Sequence, residues 1–277
     1  MSIHIFGTIL TSRGVAANNR GENVGNVSTL QKILWNGETH TTVSGEAIRY
    51  ALRETWMQDH AELLNRRVLS EGFDWQDAEF KKPEKFLDDM ILGFMDPKKE
   101  TNKRRALLEI SRAVSTRPYV GDVSFNVASV GAQRNNTAPI PYAVEMHSTR
   151  YQYSFALSGA DVASDWKRFT LDGLLNLRRV AGNHARFLFD FSPESVVLRI
   201  THDPAPRILY CFSENNGGIS ASKLLSRIGA GDIAPKEIIF GGEIAADPGV
   251  QEISASSGGV FPGVKEAFDK AKKLIKD

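Results

Sequence analysis

The sequence predicts an α+β fold whose core runs strand, helix, hairpin, helix, strand, and three observations carry that reading. Alternating residues at Tyr142, Val144 and Met146, and again at Tyr151, Tyr153, Phe155 and Leu157, give the period-two signature of paired strands. Ile48, Ala51, Leu52 and Trp56, and later Trp166, Phe169, Leu174, Leu175 and Leu177, recur at helical spacing. Apolar runs at Ser2 to Thr11 and at Val196 to Ile200 supply the first and last strands in that chain order.

Ser2 to Thr11 places Ile3, Ile5 and Ile9 on one side and Phe6 and Leu10 on the other, as expected of a central strand covered on both faces. From Ser12 to Val43 the pattern lapses into a polar stretch interrupted by Gly14, Gly21 and Gly25, which reads as a long loop. Ser44 is a good N-cap for the helix that follows. Residues 57 to 140 read as an insertion with helical patterns around Trp56, Trp75, Phe80 and Phe86, broken by Pro83 and Pro97 and followed by the basic run Lys98 to Arg105. Ser115 to Ile140 returns to loop composition, and His147 to Thr149 is the expected hairpin turn.

Val162 to Val180 reads as the second helix, ending at Gly182, followed by a loop to Pro193. Val196 to Ile200 and Arg207 to Phe212 are expected to pair as strands around the turn Asp203 to Pro206. Setting the insertion aside, this is the split βαβ arrangement of ferredoxin-like and RNA-recognition folds. Ile238 to Ile244 adds a strand, and Val264, Ala267, Phe268, Ala271, Leu274 and Ile275 mark a final amphipathic helix.

Composition narrows the function. The chain has 277 residues, 34 Lys+Arg and 33 Asp+Glu, so the near-zero net charge makes any nucleic-acid affinity depend on where cations cluster. Cys211 is the only cysteine, which excludes an internal disulfide and a thiolate metal cluster and fits a cytoplasmic location. No apolar run reaches the roughly 18 residues of a membrane span, and the start lacks the features of a secretory signal. No P-loop, HExxH or GxSxG motif is present, and His4, His40, His60, His147, His184 and His202 have no short ligand spacing, so neither a metal nor a cofactor is expected. Gly229-Ala-Gly231 matches a relaxed dinucleotide fingerprint, but it follows a helix and precedes a strand, the reverse of the required order, and reads as a plain turn.

The polar loop is the more informative feature. Arg13, Asn18, Asn19, Arg20, Asn23, Asn26 and Lys32 offer donors to sugar and phosphate, and the free amides at the Ser44-Gly45 helix start attract an anion. Arg49 and Arg53, four apart, extend this into a short cationic edge; the other reading is that Glu46 and Glu54 neutralise them on a solvated face. Asn183, His184, Arg186 and Phe187 combine a cation with an aromatic, suited to gripping unpaired bases, although Phe187 and Phe189 also fit as core residues. Arg117 and Arg134 add cations in the 115–140 stretch.

Taken together, Thr42-Val-Ser-Gly-Glu-Ala-Ile-Arg-Tyr-Ala-Leu-Arg53, Ser111-Arg-Ala-Val-Ser-Thr-Arg-Pro-Tyr119 and Gly182-Asn-His-Ala-Arg-Phe187 leading into Pro193-Glu-Ser-Val-Val-Leu-Arg199 resemble a known family. It is the RNA-binding backbone subunit of the type I CRISPR surveillance complex Cascade, the seventh CRISPR-associated family in its DevR branch. The resemblance implies a hand: an RNA-recognition-type palm from residues 1–56 and 141–277, a helical finger from 57–140, and a thumb loop near 182–194. It implies that Ser44, Gly45, Arg49 and Arg53 hold guide-RNA phosphates, and that the loop around Arg186 and Phe187 displaces a base and meets the next copy along the RNA. The implied partners are CRISPR guide RNA, adjacent copies, other Cascade subunits and, through guide pairing, target DNA.

Related subunits of type III complexes cut RNA with an Asp in the loop after the first strand. Residues 12 to 43 contain Glu22 and Glu38 but no Asp, so the expectation is a binding subunit without catalytic residues. The rival readings are a metal-dependent ribonuclease using Glu22 or Asp122, and a regulator that binds its own transcript.

Overall fold

The computed structural model describes residues 3–17, 23–69, 71–96, 102–131, 138–159, 162–177, 179–181, 188–215 and 218–275. It is a mixed α+β fold organised on a nine-stranded sheet. In chain order its strands are β1 (His4–Thr11), β2 (Lys32–Trp35), β3 (Glu38–Val43), β4 (Leu108–Ile110), β5 (Ala113–Ser115), β6 (Tyr151–Ser158), β7 (Pro193–Thr201), β8 (Ile238–Gly242) and β9 (Gly259–Phe261). The spatial order is β9-β8-β7-β1-β6-β5-β3-β2, with β4 also paired to β6. β1 sits in the middle, antiparallel to β6 with Ile9 opposite Tyr153, and antiparallel to β7 with Ile5 opposite Ile200.

The helices are α1 (Gly45–Asp59), α2 (Leu87–Leu92), α3 (Ser164–Leu175), α4 (Ser222–Gly229), α5 (Pro248–Glu252) and α6 (Val264–Leu274). Period-two alternation sends β1 side chains to opposite faces. Ile5 and Ile9 join Ile48, Leu52 and Trp56 of α1, Leu171 and Leu174 of α3 and Phe268 of α6 in one core. Phe6 and Leu10 join Val197, Leu224 of α4, Phe240 and Val250 of α5 in a second core on the other face. Both faces of the sheet are therefore covered, as the sequence of β1 implies. Among the described residues, no helix is long and apolar enough to cross a membrane.

Several expectations need correction. The 12–43 stretch is not a plain loop: it carries the β2–β3 hairpin, turned at Asn36-Gly37 with φ of 50° and 86°. That pair in left-handed geometry is the preferred two-residue hairpin turn. The helical character expected across 57–140 is confined, among the described residues, to the last turn of α1, α2 and short 3-10 turns. The rest includes the hairpin Arg66–Leu69 with Gly72–Trp75 and the strand Asp122–Ala128. β4 and β5, inside that span, belong to the main sheet. The second helix is shorter than expected and ends at Leu175.

The alternating runs at 141–157 do not form a hairpin. Strand Ile140–Thr149 pairs with Asp122–Ala128 and Gly14–Ala16, whereas β6 pairs with β1. Arg150 alone separates them, and its buried guanidinium donates to Glu194 at 2.7 Å and Glu243 at 3.2 Å, fixing a corner where the chain passes from one sheet to the other. Arg207 to Phe212 is likewise not a strand. Side chains of the sheet face satisfy its backbone instead: Thr8 Oγ donates to the Ile208 carbonyl, Ser154 Oγ accepts from Tyr210 N, and the Gln152 amide brackets Phe212 through both its groups. An apolar segment strapped across a sheet has the same composition as a strand within one.

Candidate nucleic-acid interface

The start of α1 is built as its sequence implies, with Ser44 Oγ accepting from Ala47 N at 3.1 Å. Gly45 is required by packing, because a side-chain carbon there would lie 2.6 Å from the Ile110 carbonyl oxygen. The helix also carries its own anion. The Glu46 carboxyl is held below the usual range, first by a bond to its own backbone amide and then by Ser44, Arg112 and Arg49. The arginines that follow are engaged by the protein. Arg49 donates to the Leu92 carbonyl at the end of α2 and to the Leu108 carbonyl, and burial, followed by the charge of Arg53, pushes it down. Arg53 lies 3.5 Å from the buried carboxylate of Asp88. The two form a structural bracket between α1 and α2.

A second cationic group forms at the end of the sheet where β1 and β5 finish and β6 and β7 begin. Arg13 pairs with Glu214, Arg117 Nε donates to the same carboxylate oxygen at 2.9 Å, and Arg150 Nη1 lies 3.6 Å from it. Thr116 Oγ donates to the other oxygen at 2.6 Å. Burial, followed by the neighbouring charges of Arg117 and Arg150, lowers the pKa of Arg13. Arg13 and Arg117 keep 30% and 46% of their side-chain surface exposed, while Glu214 keeps 1%.

The track continues from Arg117. Tyr119, two residues on, has its amide bonded to the Thr39 carbonyl, and its ring lies 4.8 Å beneath Lys32 Nζ. Lys32 also pairs with Glu145, and burial with the Glu145 charge raises the Tyr119 phenol to about 12, keeping it neutral. Cations beside an aromatic ring, here the half-buried Tyr119, are the elements from which single-strand binding surfaces are made.

Asn23 and Asn26 are exposed, Asn23 in a short strand and Asn26 beside Gly25 in the tight turn that follows it, where the Asn26 carbonyl accepts from Ala143 N. Asn18, Asn19, Arg20, Arg134, Asn183, His184, Arg186 and Phe187 lie outside the described residues, as does Glu22. The segment after 182–187 returns to the same end of the sheet. Phe189 and Phe191 are buried against Tyr151, which bears out the core reading of Phe189, and Gly14 lets the chain after β1 lie against the Phe189 ring. Asp122 is exposed at the start of a strand. Among the described residues, no three His, Cys, Asp or Glu side chains form a group that could hold a metal ion.

Sequence reasoning named Arg13, Lys32 and Arg117 but not their convergence, and it missed Glu214, Arg150, Thr116 and Tyr119. Arg117-Pro-Tyr119 carried a local cation-aromatic signal; Glu214 and Thr116 come together with it only through the fold.

Comparison with known proteins agrees on one family. A model of the CRISPR-associated negative auto-regulator DevR/Csa2 matches residues 12–180. A CRISPR-associated protein Cas7/Cst2/DevR from Myxococcus xanthus (strain DK1622) is 46% identical over 299 aligned residues, covering 99% of this chain and 98% of that protein. Two solved chains share the fold: one from a CRISPR RNA-guided surveillance complex, at TM-score 0.63 and 12% identity over 98% of this chain and all of the other, and one from such a complex described as pre-nicking, at 0.62 and 10% over the whole of both.

Proposed function

Because the chain belongs to the CRISPR-associated Cas7/Cst2/DevR family, we propose that it is a guide-RNA-binding backbone subunit of a Cascade-type antiviral surveillance complex. In this reading it oligomerises along CRISPR RNA in the cytoplasm, docks other Cascade subunits and presents the spacer for pairing with target DNA. It binds without catalysing. Sequence specificity belongs to the RNA, and the protein supplies phosphate neutralisation that tolerates any guide.

The observation that carries the reading is the pair of half-open arginines, Arg13 and Arg117, next to Tyr119 and Lys32 at one end of the sheet. The four strands β7-β1-β6-β5, with α1 and α3 on one face, favour an RNA-recognition-type palm, since they stand in the fourth-first-third-second order of that arrangement. We assign β4 and β5 to the palm, which narrows the finger to residues between α1 and β4. A loop near 182–194 remains the expected thumb. The strand Asp122–Ala128 fits contact with an adjacent copy, because Val123, Phe125 and Val127 form an exposed apolar row, with Phe125 72% exposed.

The test is to purify the protein from cells carrying its CRISPR array and sequence the bound RNA. Guides of every spacer sequence are expected; absence of array transcripts would overturn the proposal. The matched family's description as a negative auto-regulator favours one alternative, recognition of the protein's own transcript. That reading predicts enrichment of a single messenger instead. The ribonuclease reading predicts cleavage of complementary RNA by the purified complex with magnesium or manganese.

A further inference from the structure

Glu214 is the buried acid at the centre of the cationic group described above, with 1% of its side-chain surface exposed. It lies in the short hairpin Ser213–Asn215 with Gly218–Ser220, beyond the last strand of the four-stranded core in sequence. Both of its oxygens are used: one takes Arg13 and Arg117, the other takes the Thr116 hydroxyl. The carboxylate is buried and the two guanidiniums are not. Arg117 meets it through Nε, which leaves the terminal nitrogens of that fork for another acceptor.

We propose that Glu214 is the positioning residue of the nucleic-acid site, a buried carboxylate that holds Arg13 and Arg117 side by side so that their outer nitrogens meet the same stretch of sugar–phosphate chain. The proposal rests on the RNA-binding reading above. Two long cationic side chains from different loops would otherwise repel each other and lose rotamer freedom on binding; anchored from beneath, they meet RNA already ordered. Depth argues against a competing role. A carboxylate with 1% of its surface exposed is a support under the arginines, not an occupant of the place where a phosphate would sit.

The two roles differ in sign. Simple charge arithmetic says that removing an acid beside a phosphate site tightens RNA binding, whereas loss of a support weakens it. Glu214→Gln, measured by fluorescence anisotropy with a labelled single-stranded RNA across a salt series, is therefore expected to bind about tenfold more weakly. Its salt slope should fall by about 0.7, one phosphate contact. In the Glu214→Gln background, adding Arg117→Ala should cost much less than it costs alone, a coupling that general destabilisation does not produce.

Tighter or unchanged binding by a folded Glu214→Gln protein, or full additivity with Arg117→Ala, would overturn the role of Glu214 alone. Unchanged binding in Arg13→Ala and Arg117→Ala with Glu214 intact would overturn the RNA reading of this site itself. Should Glu214→Gln fail to fold, Thr116→Val, which frees the other carboxylate oxygen, is expected to weaken binding in the same direction, and no effect there would count against the proposal.

Discussion

Replacing Arg150 with alanine removes a buried side chain that ties the corner between the two sheets to β7 and to the segment after β8. The guanidinium is buried and serves Glu194 at 2.7 Å, Glu243 at 3.2 Å and Glu214 at 3.6 Å. Breaking a buried ion pair by deleting one partner costs roughly 3–5 kcal/mol, because the remaining charge is stranded. Here the stranded charges are not all buried. Glu243 is well exposed and Glu194 partly so, while Glu214 keeps Arg13, Arg117 and Thr116. The low end of the range, about 3 kcal/mol, is therefore the expected loss.

At about 2–4 °C per kcal/mol for a chain of this size, the melting temperature should fall by roughly 6–12 °C. Urea unfolding followed by circular dichroism measures the loss directly, and an Arg150→Met/Glu194→Gln double variant should recover part of it. A change under about 0.5 kcal/mol, the size of an ordinary surface substitution, would refute the view that Arg150 holds the corner.

Two further predictions come from packing and protonation. Gly45→Ala brings a methyl group within 2.6 Å of a backbone carbonyl that cannot move aside; the expected strain of about 1–3 kcal/mol exceeds the ~1 kcal/mol that alanine gains in a helix, so thermal unfolding should show net destabilisation. His147, whose Nδ1 lies 2.7 Å from Thr41 Oγ, is pushed down to about 4 chiefly by burial, with the charges of His40 and Arg117 adding to it. Between pH 6.5 and about 4 the unfolded chain binds a proton there that the folded one does not, so stability should fall as pH falls through that window. His147→Gln should flatten that dependence in denaturant titrations at stepped pH; an unchanged profile would assign it to other groups.

Much of the frame was legible because local pattern and tertiary role coincide. The two-sided alternation of β1, the Ser44 cap and stripe of α1, the strand at 238–242 and the amphipathic α6 all carry their burial in their spacing. The errors arose where one pattern has two physical outcomes. Period-two runs at 140–149 and 151–158 mark strands but not partners, and the separation into two sheets depends on a buried arginine. Trp75 and Phe80, whose spacing reads as helical, instead pack on each other in a region of short strands and turns, with Phe80 also stacked on Phe94. Asn36-Gly37 was a readable hairpin signal inside an otherwise polar stretch.

The candidate site was legible residue by residue and not as a place. Arg49 and Arg53 present a cationic stripe in sequence, but α2 and Asp88 sit against it. Arg13 and Arg117 become neighbours only because β1 and β5 both flank β6 in the sheet, and nothing in the residues around Glu214 announces that it will lie beneath them.

We propose that guide RNA is held at the Arg13–Arg117 end of the sheet and not along α1. Equilibrium binding of guide RNA by the Arg13→Ala/Arg117→Ala protein over a salt series tests it most directly. The expected result is weakened affinity for every guide sequence and a salt slope reduced by about 1.4, two phosphate contacts. Wild-type affinity and slope in that variant would contradict it.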